Sequence, residues 1–322
     1  MNRMLARWTM LACVLWMGQL HAQPSAPAGN AGKLVRFIIP ASPGSQGEAL
    51  TRLVSEKFRD ITGHAVVIDN RPGGNGVIST MAALNAPADG TTILMVSSSS
   101  MFLTPMTQDV PYQPSELRPL ASLSRHTGVL VATPQSGIRQ LADVAQAGPA
   151  QAPVAVGTYG SLFRVALAVL GERLGLNVVP YPGPMQTLNG TLSGSHPLAL
   201  VDLGSALPLI RAGRLHAVAT TGAQRHAALP EVQTVAEAGF PGFEIRTSLG
   251  YGVSAKTLDA VAQALEQALL QSIQDPAFRR AVGGMDGVEI TGLPAAQFRQ
   301  FLDDEKSKLT GYLRVTGGKI PQ

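Results

Sequence analysis

Strand and helix patterns alternate along most of this chain, and that rhythm restricts its fold more than any other feature. Residues 35–39 (VRFII) form a short apolar run, the signature of a buried strand. After a loop at 40–47, Leu50, Leu53, Val54, Phe58 and Ile61 fall on one helical face, and Gly63 closes that helix. A second strand is predicted at 65–68. A Gly-rich turn, Asn70-Arg71-Pro72-Gly73-Gly74-Asn75-Gly76, then opens a helix near 77–85. A third strand at 92–96 ends in four serines, 97–100. This order predicts parallel βαβ units and an α/β fold. The rhythm continues with strands at 129–133, 154–157, 177–181, 197–201 and 215–221. Helices are expected at 138–146, 161–174, 185–192, 207–212, 257–274 and 294–315.

The sequence has 322 residues, enough for two hydrophobic cores. Two extended apolar stretches, 120–131 and 243–253, have the length to cross between lobes. The final helices need a sheet to pack on, and the first is nearest. The expected division is lobe one at 33–122 plus 248–322 and lobe two at 123–247. The raised Gly (34) and Pro (23) counts fit many turns between short elements.

The first 22 residues read as a secretory signal. Arg3 and Arg7 form a basic start, 8–18 is apolar and uncharged, and Ala22 precedes polar Gln23. That run is shorter than the ~20 residues needed to span a bilayer. Cleavage is expected after Ala22, followed by a flexible lead-in at 23–32 and a periplasmic destination. Cys13, the only cysteine, lies inside the apolar run, which argues against a lipidated cysteine. Its removal excludes disulfides and thiolate chemistry in the mature chain. The net charge of +4 drops to +2 with the two leader arginines gone, and no basic cluster remains to suit nucleic acid.

Two motif resemblances fail on inspection. Gly74-Asn75-Gly76-Val77-Ile78-Ser79 imitates a dinucleotide fingerprint, but Ser79 replaces the third glycine and no acid ends the next strand. No cofactor is therefore expected. Pro43-Gly44-Ser45-Gln46-Gly47 is one residue away from a hydrolase elbow, yet Ser45 lies six residues past the strand and Pro43 replaces the first glycine. His64, His126, His196, His216 and His226 are scattered and sit in no motif that marks a base. No metal-ligand spacing occurs, and no catalytic residue is assigned.

What remains is a set of small-residue loops at strand C-terminal ends, where open α/β sheets place their ligand crevice. Backbone N–H groups at helix N-termini are ready anion sites. The candidate ligand-binding residues are Ser42, Gly44 and Ser45 in the first loop, Ser98 in the serine run, and Thr158, Tyr159, Gly160 and Ser161 in the middle loop. Arg164 and Asp202 complete the set. Arg164 lies in the first turn of its helix, where its charge opposes the helix dipole; it either meets a ligand carboxylate or reaches to water. Asp202 ends a strand and either binds a ligand amino group or caps the following helix.

These residues sit in a longer pattern. Val67-Ile68-Asp69-Asn70-Arg71-Pro72-Gly73-Gly74-Asn75-Gly76, Ala88-Asp89-Gly90-Thr91-Thr92, Val179-Pro180-Tyr181 and Leu229-Pro230-Glu231-Val232-Gln233-Thr234-Val235-Ala236-Glu237-Ala238-Gly239 resemble, in order and spacing, motifs of the Bug family of extracytoplasmic solute receptors. These are the binding components of tripartite tricarboxylate transporters. The resemblance runs from about Val35 to the C-terminus. It implies a two-lobed periplasmic-binding-protein fold of Venus-flytrap, type 2-like form, with mixed, mostly parallel sheets and two crossover strands. It implies a small carboxylate ligand, such as a di- or tricarboxylate or an acidic amino acid, gripped by the loops at 40–48 and 158–161. It also implies a monomer that docks on membrane transporter components or, alternatively, presents its ligand to a sensor kinase. The chain departs from the family pattern at Ser45, Glu48, Leu162, Phe163, Arg164, Pro182 and Ser248, the last in place of a usual aromatic. Phe163 and Tyr159 either line the cleft or pack beneath it.

Overall fold

The computed structural model describes residues 32–147, 154–158, 160–285 and 287–317. The proposed signal segment and almost all of the lead-in lie outside the described residues, as does Tyr159. Lobe one opens with β1 (Leu34–Ile39), α1 (Gln46–Thr62), β2 (Ala65–Asn70), α2 (Val77–Leu84), β3 (Thr92–Ser97) and α3 (Thr104–Thr107). The long strand β4 (Leu117–Ala132) follows, then α4 (Leu141–Ala147), β5 (Val154–Thr158), α5 (Ser161–Leu174) and β6 (Leu176–Pro180). Next come α6 (Pro184–Leu192), β7 (Leu198–Asp202), α7 (Leu203–Arg211) and β8 (His216–Thr220). The chain ends with β9 (Arg246–Ser254), α8 (Asp259–Gln274), α9 (Pro276–Val282), β10 (Val288–Ile290) and α10 (Ala295–Val315).

The strands form one continuous mixed sheet in the order β2-β1-β3-β9-β4-β7-β5-β6, with β8 and β10 also paired to β4. The fold is the expected two-lobed α/β architecture. The predicted parallel rhythm holds for β1 with β2 and β3, and for β5 with β6 and β7. It fails wherever β4 or β9 takes part, because each returns antiparallel beside its neighbours. Periodicity reports which residues are buried, not the direction of the neighbouring strand.

The stretch 120–131 and the strand expected at 129–133 are one 16-residue strand. Its first part pairs with β9, from Leu117↔Ser254 to Thr127↔Arg246. From Gly128 onward it pairs with β7 on one side and β8 on the other. β4 therefore changes its pairing partners at Thr127 and Gly128. A side chain at Gly128 would clash there, since a Cβ would stand 2.8 Å from the Phe163 ring and 2.9 Å from Thr221 Oγ1.

Each lobe has its own core. In the first, the Phe37 ring meets Phe58 and Tyr251 edge-on at 5.5 Å each, with Leu50, Val54 and Leu269 around them. In the second, Val156, Phe163, Leu167, Leu200 and Phe243 pack together on one face of the sheet. Val129, Val131, Val201 and Leu207 fill the other face. α10 joins both lobes: Phe298 and Leu302 sit with Ile38 and Leu94, whereas Leu309 and Leu313 enter the core around Phe163.

Local chemistry explains several departures from the sequence reading. Gly73, Gly74, Asn75 and Gly76 all have positive φ (112°, 56°, 52° and 94°), so the backbone itself requires the Gly-rich turn. The helix expected at 207–212 begins at Leu203, because Asp202 caps it directly. The serine run is a wide helical turn over Ser99–Leu103, not a loop. α9 and β10 were not anticipated. α9 was legible in part, since Asp275-Pro276 is a cap followed by proline at the first helical position, and Asp275 Oδ1 accepts from the Ala277 and Phe278 N–H groups.

Candidate functional site

The first candidate loop joins β1 to α1. Ser42 and Gly44 are exposed, and the Ser45 N–H donates to the Ser42 carbonyl at 3.2 Å. Gly44 has a φ of 80°, which aims its N–H back at the helix. Ser45 is the N-cap, and its hydroxyl accepts from the Glu48 N–H at 3.3 Å. Glu48 Oε2 accepts from the Gly44 N–H at 2.6 Å, and Oε1 accepts from Arg52. This is a variant of the capping box, reaching one residue further back than usual. The Gly44 amide and then Arg52 hold the Glu48 carboxyl below its ordinary range. The anion at this helix start is the chain's own.

The second loop joins β5 to α5. Thr158 is fully buried, and its hydroxyl donates to the Leu200 carbonyl at 2.9 Å, tying β5 to β7. Gly160, with a φ of 68°, occupies the N-cap position and supplies no side chain. Ser161 is 4% exposed and its buried hydroxyl has no partner among the described residues. One turn on, the Arg164 Nε is also buried without a partner among them, and burial lowers the guanidinium pKa. Helical side chains lean toward the helix N-terminus, so Arg164 leans toward Ser161. Phe163 belongs to the core and not to an open cleft wall.

Between the loops lies β4. His126 is 5% exposed. Its Nδ1 donates to Gln46 Oε1 at 2.9 Å, and its Nε2 accepts from the Ser124 hydroxyl at 2.8 Å. Burial pushes its pKa down to about 4, with the Asp202 charge acting weakly the other way. Asp202 accepts from the Ser205 N–H at 2.8 Å and the Ser205 hydroxyl at 2.9 Å, so it caps α7. Ser45 has no histidine partner here, because both His126 nitrogens are engaged elsewhere. Among the described residues no group of three acidic, histidine or cysteine side chains is placed to hold a metal.

Ser98 is buried and donates to Glu305, a residue of α10 that the sequence reading passed over. Ser248 donates to the other Glu305 oxygen at 2.8 Å. Burial raises the Glu305 pKa, against the pull of the two hydroxyls. Beside this cluster, Glu244 pairs with Arg125 (3.2 Å), Arg246 (3.1 Å) and Lys308 (2.5 Å). Burial pushes Glu244 up, but the three cations outweigh it and hold the carboxyl below its ordinary range. Ser98, Arg125, Leu162, Glu244, Glu305 and Tyr312 line a small pocket here. The contacts of Gln46, His126 and Glu305 were not legible in the sequence, because each depends on a partner 57 to 207 positions away.

Among the described residues no helix is long and apolar enough to cross a membrane. Protein BugT of Bordetella pertussis is 28% identical over 294 residues, covering 89% of this chain and 90% of that protein. The structure of an R. palustris protein with adipate superposes with a TM-score of 0.79 at 22% identity, covering 88% of this chain and 97% of that one. MatC from Rhodopseudomonas palustris with bound malate superposes with a TM-score of 0.77 at 20% identity, covering 87% and 99%. Residues 50–316 match the family described as the tripartite tricarboxylate transporter family receptor. With the two-lobed sheet and the Bug-type motifs in the same chain, this protein belongs to the tripartite tricarboxylate transporter receptor family, the Bug-type solute-binding proteins.

Proposed function

We propose that this chain is an extracytoplasmic receptor that captures a small organic acid between its lobes and delivers it to the membrane components of a tripartite transporter. The observation that carries the reading is the unpartnered Ser161 hydroxyl, buried at the N-terminus of a 14-residue helix. A buried donor without an acceptor costs free energy, and a carboxylate at a helix N-terminus would satisfy it. Arg164, one turn away, forms no ion pair among the described residues, and its Nε is buried without a partner among them. Gly160 completes that end of the site, and Thr158 holds the strand beneath it. Ser42, Gly44 and Ser45 form the opposite wall, Ser98 flanks it, and Asp202 borders it from the end of β7. The family's neighbours in fold with adipate and malate support a dicarboxylate or a related acid.

The expected lobes, 33–122 with 248–322 and 123–247, close about β4, whose pairing partners change at Thr127–Gly128, five residues beyond the expected boundary. Ligand binds the closed form better and shifts the population toward it. The protein acts as a periplasmic monomer, released by cleavage of its N-terminal segment, and catalyses no reaction. Ser45, the one residue in an elbow-like motif, spends its hydroxyl on the cap of α1. A thermal-shift screen of mono-, di- and tricarboxylates and acidic amino acids tests the reading. At least one acid raises Tm, and Ser161→Ala abolishes that rise. A folded protein that no small acid stabilises would overturn it.

A further inference from the structure

The middle of α10 touches three separate parts of the chain through one face. Glu305, Lys308 and Tyr312 are three and seven residues apart, the spacing of a single helical stripe. Glu305 accepts from Ser98 and Ser248. Lys308 pairs with Glu244, and the Tyr312 hydroxyl accepts from the Glu244 N–H at 2.9 Å. The stripe therefore grips the second connection between the lobes, residues 244–248, and reaches the end of β3. Either side of it, the same helix is anchored in different lobes, by Phe298 and Leu302 in one and by Leu309 and Leu313 in the other.

Glu305 is unusual within that stripe. Its carboxylate is buried deeply enough to raise its pKa, yet it forms no ion pair among the described residues. Two serine hydroxyls hold it instead. Ser98 and Ser248 flank the antiparallel pairing of Ser97 with Leu249, and each is 2% exposed. Small side chains at both positions leave the room that the carboxylate fills. An aromatic at 248 would take that space. The carboxylate is half-buried, and its desolvation outweighs both the two hydroxyls and the attraction of the nearby Arg125 charge, so an apolar side chain would serve a purely structural anchor at less cost.

We infer that Glu305 is a positioning residue for solute capture: it orients Ser98 at the ligand site and couples that hydroxyl, through α10, to the relative placement of the lobes. This inference rests on the solute-binding reading of Ser98. A rotation of one lobe against the other displaces one end of α10, and Glu305 is where that displacement meets the site. Closure and donor geometry then change together.

The test uses the full chain with Cys13→Ser, the only cysteine, and spin labels at Ile78→Cys in α2 and Met185→Cys in α6, both exposed. The label-to-label distance distribution is measured without ligand, and calorimetry follows adipate, malate and whichever acid gives the largest thermal shift. Glu305→Ala broadens the ligand-free distribution and weakens the best-bound acid by roughly tenfold or more. Glu305→Gln, which still accepts from one serine and donates to the other, restores both to near wild type. A Glu305→Ala protein with the wild-type distribution and affinity within about twofold would overturn the inference, whatever its Tm, because a structural anchor alone predicts that result. Should Glu305→Ala fail to fold, the Ser98→Ala/Ser248→Ala double variant is judged by the same two readouts. If the wild type binds no acid, the solute-capture reading falls, and an unchanged distance distribution in the variants separately removes the coupling.

Discussion

The β1–α1 and β5–α5 loops occupy equivalent places at the ends of parallel strands, and they treat their hydrogen-bond donors in opposite ways. In the first, the Gly44 N–H goes to Glu48, and the Ser45 hydroxyl accepts from the Glu48 N–H. In the second, Gly160 stands at the N-cap, and both the Ser161 hydroxyl and the Arg164 Nε are buried without partners among the described residues. Among those residues the first helix start carries its own carboxylate and the second has none.

The largest effect expected from probing this contrast is at Phe163, which secures the first turn of α5 from below. Phe163→Ala is expected to cost about 3–5 kcal/mol of unfolding free energy by chemical denaturation. A loss below about 1 kcal/mol would mean that the ring faces the cleft after all.

Acid comes next. His126 is neutral and buried between the two loops, with a pKa near 4 against an ordinary 6.5. A depressed folded pKa means that protons favour the unfolded chain. The contribution of this site is complete above about pH 6.5 and is lost as the pH falls toward 4, by roughly 3 kcal/mol in total. Glu48 acts in the same direction but lower, below its ordinary 4.5. Urea denaturation across pH 7 to 4 should show the loss, and His126→Asn should flatten it. A wild-type curve already flat between pH 6.5 and 4.5 would rule out a buried neutral histidine.

The smallest stability effects separate the loops most cleanly. Ser45→Ala removes a helix cap and is expected to cost about 1 kcal/mol. Ser161→Ala removes a buried donor without a partner among the described residues, so stability should hold or rise by about 1 kcal/mol while acid binding weakens. If the two variants exchanged these results, the contrast would be reversed.

Much of the fold could be read locally. Leu50, Val54 and Phe58 repeat at helical spacing, and Gly63 stops α1 with a left-handed φ of 69°. Asn70 to Gly76 announced a turn that needs positive φ. Candidate loops at strand ends were also legible, because small residues between a strand and a helix have few other uses. The state of each donor was not. Whether Ser98 faces a ligand or Glu305 depends on a helix 207 residues further along. Asp202 was left between ligand and cap, and the Ser205 N–H and hydroxyl show the cap.

The sequence by itself determined the α/β class, two extended apolar stretches, the loops at the strand ends and the family. These rest on periodicity, turn chemistry and motif order, all of which act over a few neighbouring residues. Only the tertiary structure decided that β4 and β9 run antiparallel to their neighbours. Only it decided that α10 is shared between two cores, and that one helix start is filled while the other is left open. Those outcomes depend on which distant groups desolvate together. A buried donor takes whatever acceptor the folded chain brings within 3 Å, and no local pattern encodes that partner.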